Sequence, residues 1–220
     1  MTSVIIVGEK RVVEILARLA AEHDYRFVAL AVLVCACAAL CAFRVYSRIR
    51  RSRGVVRASW LMLIGLGAGT GVWSTHFIGM LAFEPGVRVG YMLEASVISL
   101  FVSVALTSCA FALASANRRW IDLLLGGLMF GVADATTFYS GIAALRPAGT
   151  LAWSAPMVAL SLLAALGIPV GALFAASRAR TWRQQAIGAG LLTLGVCLTH
   201  LAGMGAIPSC PTWPSASRRR

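Results

Sequence analysis

Two histidine–methionine pairs carry the chemistry open to this chain. His76 and Met80 lie four residues apart, and so do His200 and Met204. Positions i and i+4 share a helix face, so each pair presents an imidazole and a thioether together. That nitrogen-and-sulfur set is soft and suits copper, above all Cu(I), better than magnesium or calcium. Two such pairs from symmetry-related helices can enclose one ion. Cys197 precedes His200 by one turn on the same side, and His23 offers a third imidazole. Asp24, beside His23, has the chemistry to orient a ring from the outer shell. Asp134 lies inside an apolar run, where a carboxylate is costly and a functional candidate. It reads as an oxygen ligand, a counter-charge, or a group hydrogen-bonded to Thr136, Thr137 or a neighbouring serine; the last is the expectation taken here. A plainer reading stands beside the metal, with wet interfacial histidines and methionines that only pack.

The pairs belong to a repeat. His76, Phe138 and His200 are spaced by 62 residues twice over. Gly79, Gly141 and Gly203 keep that period, as do Met80, Ile142 and Met204, and Ala82, Ala144 and Ala206. A fixed period of this size marks a chain built of similar units. Each unit is two apolar helices long and ends at the motif. The middle copy has Phe138 and Ile142 where the others have His and Met.

These residues must be positioned by membrane helices. Of 220 residues, 59% are hydrophobic and 13% charged, about half the charge of a soluble domain. Apolar runs near or above 18 residues recur, so the expected fold is all-α, a polytopic bundle of six transmembrane helices in three two-helix repeats. Runs without two-residue alternation exclude a barrel. A polar tail over 1–25, with a short surface helix over Val12–Ala21, precedes the membrane domain at 26–208, and a basic tail fills 209–220. The predicted spans are Phe27–Tyr46, Ser59–Phe83, Tyr91–Ser115, Ile121–Leu145, Leu151–Ala176 and Gln185–Ile207. None shows a clear central break. Cys35, Cys37, Cys41 and Cys109 fall in apolar runs, where they are expected to pack rather than form disulfides.

The net charge of +12 does not point to nucleic acid, because no soluble domain presents a basic face. It sets topology instead. The loops after spans one, three and five hold six, two and three arginines, against Arg88 and Arg146 after spans two and four. The positive-inside rule places the richer loops in the cytoplasm and both termini outside. Spans two, four and six then run outward, each ending in its motif. His76 lies roughly 25 Å beyond the start of its span, near the outer edge of a ~30 Å slab. His200 reaches the same depth, and His23 precedes a span that starts there. All three histidines meet at the outer interface. Trp73, Tyr91 and Trp153 fit an aromatic belt, and Glu94 an ordinary interfacial carboxylate.

The stretch Trp73-Ser74-Thr75-His76-Phe77-Ile78-Gly79-Met80-Leu81-Ala82-Phe83, with its copies around Phe138 and His200, resembles the signature of the MHYT family of bacterial membrane sensor domains. The likeness runs from His23-Asp24 to about Pro208. It implies a sensor in the bacterial inner membrane that binds copper through motif His and Met residues and detects O2, CO or NO. It also implies a signalling output, a cyclic-dinucleotide enzyme or histidine kinase. Thr75 and Thr199 replace the motif methionine, and Thr137-Phe138-Tyr139-Ser140 replaces the Met-His pair. No output domain follows Pro208, so the module is expected to act alone, as a truncated member, or through a separate partner, with no catalysis of its own. Self-association stays open. The rival readings are a haem held between His76 and His200 for electron transfer, a small transporter built on the repeat and Asp134, and a degenerate remnant.

Overall fold

The computed structural model describes residues 23–83, 90–117, 119–146, 153–179 and 181–206. The surface helix expected over Val12–Ala21, both outer parts of the tails, and Cys210 lie outside the described residues.

Six long apolar helices follow in order: α1 (Tyr25–Ile49), α2 (Gly54–Leu81), α3 (Leu93–Ala114), α4 (Trp120–Ala144), α5 (Ala155–Arg178) and α6 (Trp182–Gly205). Each is long and apolar enough to cross a membrane, and the protein is a multi-pass membrane bundle. Every helix packs on its neighbours in sequence, and α6 closes back on α1. Helices α2, α4 and α6 also touch one another. The even helices therefore form an inner triangle, with the odd helices seated in the grooves outside it. This is the packing that three copies of one two-helix unit produce.

The end that carries the histidines is closed three times in the same way. The N–H of each odd helix's N-cap residue donates to the carbonyl of a repeat-equivalent alanine. Asp24 bonds Ala82 at 2.9 Å, Met92 bonds Ala144 at 3.2 Å, and Ser154 bonds Ala206 at 2.8 Å. The three alanines are fully enclosed. Each bond satisfies a carbonyl at a helix C-terminus, which has no intrahelical partner. A two-residue antiparallel ladder of β1 (Gly90–Tyr91) with β2 (Leu145–Arg146) and a bridge between His23 and Phe83 complete this end.

Two helical details differ from expectation. Span two begins at Gly54 rather than Ser59, so Arg57 lies inside a helix. Its guanidinium donates to Ala112 O at 3.2 Å and Ser115 Oγ at 3.1 Å at the end of α3. An arginine that reaches unpaired carbonyls at a helix C-terminus extends the helix it sits on. Span two is also interrupted, where no break was expected. Gly65–Gly69 winds as a π-helix, a rare local widening. Ser103 Oγ donates to Gly69 O at 2.9 Å, and a Cβ on Gly69 would lie 2.7 Å from Val104 Cα. Glycines at this turn let α3 approach backbone to backbone and re-satisfy a carbonyl.

The inner half of the bundle is a hydrophobic core around Phe43, Tyr46, Phe111, Phe130 and Leu173. Of the cysteines expected to pack, only Cys35 is buried; Cys37, Cys41 and Cys109 face outward, and Cys197 is half-buried. A thiol is apolar enough to face lipid at no penalty, so its place in an apolar run does not define its side.

Candidate functional site

Three rings meet on the axis of the inner triangle. The centroids of His76 and Phe138 are 5.5 Å apart, those of Phe138 and His200 5.4 Å, and those of His200 and His76 5.7 Å. The repeat-equivalent residues thus form a nearly equilateral triangle, one corner from each copy. All three are buried.

The glycines three residues on explain how the triangle closes. A Cβ on Gly79 would stand 2.6 Å from Nε2 of His200, and one on Gly203 would collide with the ring of Phe138. Two of the three rings are thus seated on the glycine of another copy. The third seat, at Gly141, is filled by Met80 instead, whose Cε would be 2.7 Å from a Cβ there. His76 is drawn elsewhere. Consequently Gly203→Ala is expected to destabilise the bundle by about 1–3 kcal/mol through overpacking. Gly190→Ala, on an open face, should be neutral or slightly stabilising. Thermal unfolding in detergent measures both.

What draws His76 is Asp134. Nε2 of His76 lies 2.7 Å from Oδ1 of Asp134, with both side chains buried. The expected partner of Asp134, a threonine or serine, is therefore corrected. Thr137 Oγ1 donates to Ala133 O at 2.7 Å. Thr75 and Thr199 do likewise to Gly71 O and Gly195 O, so the threonine of every copy is spent on its own helix. A carboxylate only accepts, so a neutral imidazole facing an ionised Asp134 presents its Nε2–H to Oδ1 and keeps a lone pair on Nδ1. One comparison exposes what Asp134 is. Its equivalents at the same period are Val72 and Val196, both buried. The copy without a histidine carries a carboxylate one turn deeper, and that carboxylate holds the first copy's ring.

Among the described residues, four polar atoms here make no well-formed hydrogen bond: His76 Nδ1, Asp134 Oδ2, and Nδ1 and Nε2 of His200, whose ring lies against the Gly79 backbone. Buried nitrogens without partners are costly and rare. Met80, Ile142 and Met204 form a second layer one turn outward, in one apolar cluster with Phe138. Beside His76 and Met80 is a cavity of about 10 Å³, also lined by Trp73, Ser99 and Gly141, space for about one water-sized molecule. Trp73 stacks on Phe77 at 5.0 Å and donates to Ser99 Oγ at 3.0 Å.

The remaining candidates divide. His23 reaches the site's rim, 6.4 Å from His200 and 5.4 Å from Phe83 between centroids. Asp24 orients no ring in this arrangement; it caps α1, accepting from Arg26 N at 2.8 Å. An Asp one residue before a helix is an N-cap by chemistry, and that role claims its oxygen. Cys197 lies on the site's inner side, within electrostatic reach of Asp134. Among the described residues, no three His, Cys, Asp or Glu side chains gather as one ligand shell. An ion here would therefore need thioethers. Two imidazoles with unpaired nitrogens and two buried methionines on the same faces fit a soft, low-coordinate ion such as Cu(I).

The fold is a six-helix membrane bundle with pseudo-threefold order and a His–Met face in its first and third copies. The chain belongs to the MHYT family: a sequence model described as "Bacterial signalling protein N terminal repeat" matches residues 69–127 and 131–189. The two matches start 62 residues apart, the period of the motif. An "Uncharacterized signaling protein" of Caulobacter vibrioides is 41% identical over 92% of this chain. In Pseudomonas aeruginosa, "Bifunctional diguanylate cyclase/cyclic di-GMP phosphodiesterase MucR" is 31% identical over 86% of the chain, and "Cyclic di-GMP phosphodiesterase NbdA" 31% over 82%. The chain spans about a quarter of the length of these curated relatives, 25%, 28% and 24%. No solved structure matches it.

Proposed function

We propose that this bundle is the input module of a membrane signalling system and holds one copper ion between His76 and His200, with Met80 and Met204 completing the donor set. The observation that carries the reading is the pair of repeat-equivalent imidazoles with buried, unpartnered nitrogens, one of them already oriented by Asp134. A ligating histidine typically gives its other N–H to a carboxylate. Metal–nitrogen bonds of ~2 Å are compatible with rings 5.7 Å apart. The bound ion supplies a soft, open position for O2, CO or NO, or a redox couple. The protein's part is to fix the His76 tautomer through Asp134 and to exclude bulk water with Phe138 and Ile142. Because His200 is seated on α2 and Phe138 on α6, a shift of either ring is passed directly to another helix.

We place the site at the outer face of the cytoplasmic membrane, with the N-terminus outside, on the arginine distribution. The relatives named as cyclic di-GMP enzymes support an output of that kind, carried in a longer chain or by a separate protein; a histidine kinase is the alternative output. The module itself then performs no catalysis. Haem is a poorer fit, since Phe138 stands within 5.5 Å of both histidine rings and leaves no slot for a macrocycle. The transporter reading loses its main support, because Asp134 is bonded to His76 rather than lining a passage.

X-ray absorption of the copper-loaded protein tests the donor set. Nitrogen at ~2.0 Å and sulfur at ~2.3 Å are expected. Met80→Leu with Met204→Leu, a volume-conserving change, should remove the sulfur scattering and keep the fold. A spectrum without sulfur in the parent protein contradicts the assignment.

A further inference from the structure

The end of the bundle opposite the histidines carries an uncompensated charge. Eleven arginines fall in or beside its loops: Arg44, Arg48, Arg50, Arg51, Arg53, Arg57, Arg118, Arg119, Arg178, Arg180 and Arg183. Among the described residues one carboxylate, Asp122, shares that end, and its Oδ2 is committed to the backbone N–H groups of Asn117 and Arg119, both at 2.9 Å. Several of the described arginines there lean on aromatic rings or carbonyls. Arg48 lies over Trp60, Arg178 over Phe174 and Arg183 over Trp182.

Within this field the helices leave a cavity of about 270 Å³ between the end of α1 and the α5–α6 connection. Tyr46, Ser47, Arg50, Arg51, Ser177 and Gln185 line it. Its size is close to the ~300 Å³ at which small-ligand pockets begin. The frame is rigid. Tyr46 OH donates to Ala114 O at 2.9 Å across to α3, and Arg50 Nη1 donates to Ser177 O at 3.0 Å across to α5. Arg50 also lies over the Tyr46 ring. An arginine pinned at the wall, a second exposed one beside it, an amide, and no carboxylate among the lining residues make a receptor for a compact anion.

We propose that this cavity binds one phosphate-bearing anion, the chemistry of an anionic phospholipid headgroup or of a soluble phosphate ester. Basic pockets between helices on the cytoplasmic side are suited to such headgroups. The arginines that set topology would then also seat a ligand across α1 and α5–α6, at the end from which a signal must leave. The inference does not depend on the metal.

The full chain, purified in detergent, is tested for binding of phosphatidylglycerol, phosphatidylcholine and glycerol 3-phosphate by native mass spectrometry. One phosphatidylglycerol per chain is expected, with weak phosphatidylcholine. Arg51→Gln, on an exposed residue, should weaken it about 5-fold, and Arg50→Gln with Arg51→Gln about 30-fold. Arg183→Gln, at the same end but outside the cavity, should leave it unchanged. Glycerol 3-phosphate binding as tightly as the lipid, with the same arginine dependence, supports the site and assigns it a soluble ligand. Equal phosphatidylglycerol and phosphatidylcholine with no glycerol phosphate overturns the proposal. So does loss in Arg183→Gln equal to that in Arg51→Gln, which marks diffuse surface charge.

Discussion

His76→Ala is expected to destabilise the protein by about 3–5 kcal/mol, and adding Asp134→Val should recover most of that loss. The reason is the asymmetry of a buried pair. Removing the imidazole leaves the Asp134 carboxylate enclosed, with Oδ1 as well as Oδ2 unpartnered, and a stranded buried charge costs that much. Valine is what the other two copies carry at this position, at Val72 and Val196, so the double variant removes the stranded charge with a side chain the repeat already accepts there. Asp134→Val alone strands only the neutral N–H of His76 and should cost about 1–3 kcal/mol. The two changes are therefore strongly non-additive, with a coupling well beyond the ~0.5 kcal/mol expected of independent sites. Thermal or denaturant unfolding in detergent of the three variants measures it. Additive losses would show that the His76–Asp134 contact contributes nothing specific.

Phe138→His should move stability and metal affinity in opposite directions. Phe138 is fully enclosed and occupies the corner of the triangle that an imidazole holds in the other copies. Without metal, the substitution places new polar nitrogens among Met80, Ile142 and Met204 and should cost about 1–3 kcal/mol. With copper, a third imidazole joins the site, and affinity should rise on the order of 100-fold, the upper range even of an outer-shell partner. The shift of unfolding midpoint on adding Cu(I) therefore grows, because ligand binding stabilises in proportion to the logarithm of saturation. A variant that is less stable in both conditions would show that the triangle is a packing motif.

The six helices, their three-copy order and the meeting of three histidines at one end were legible in the sequence. Hydrophobic run length and a fixed period are long-range signals that packing rarely overrides. Local partner choice was less legible. Asp134 was visible as a costly carboxylate, yet its nearest polar neighbours in sequence were threonines. Those hydroxyls are spent on carbonyls of their own helix, a saving that any helical threonine can make. The partner, His76, comes from another helix, and only superposing the copies at Val72 and Val196 points to it. Asp24 illustrates the converse: its neighbour in sequence was a histidine, but its position before a helix decided its role as a cap. The π turn at Gly65–Gly69 was hidden because apolar content does not distinguish a widened turn from a regular one. Its cause is the close approach of α3 through Ser103 and Val104.

Copper content measured on the detergent-purified protein after loading with Cu(I) and desalting tests the central claim most directly. The account predicts about one copper per chain, reduced at least about tenfold in His200→Ala and in the packing-compensated His76→Ala/Asp134→Val variant. Parent protein without copper, or both variants retaining it in full, would contradict the account.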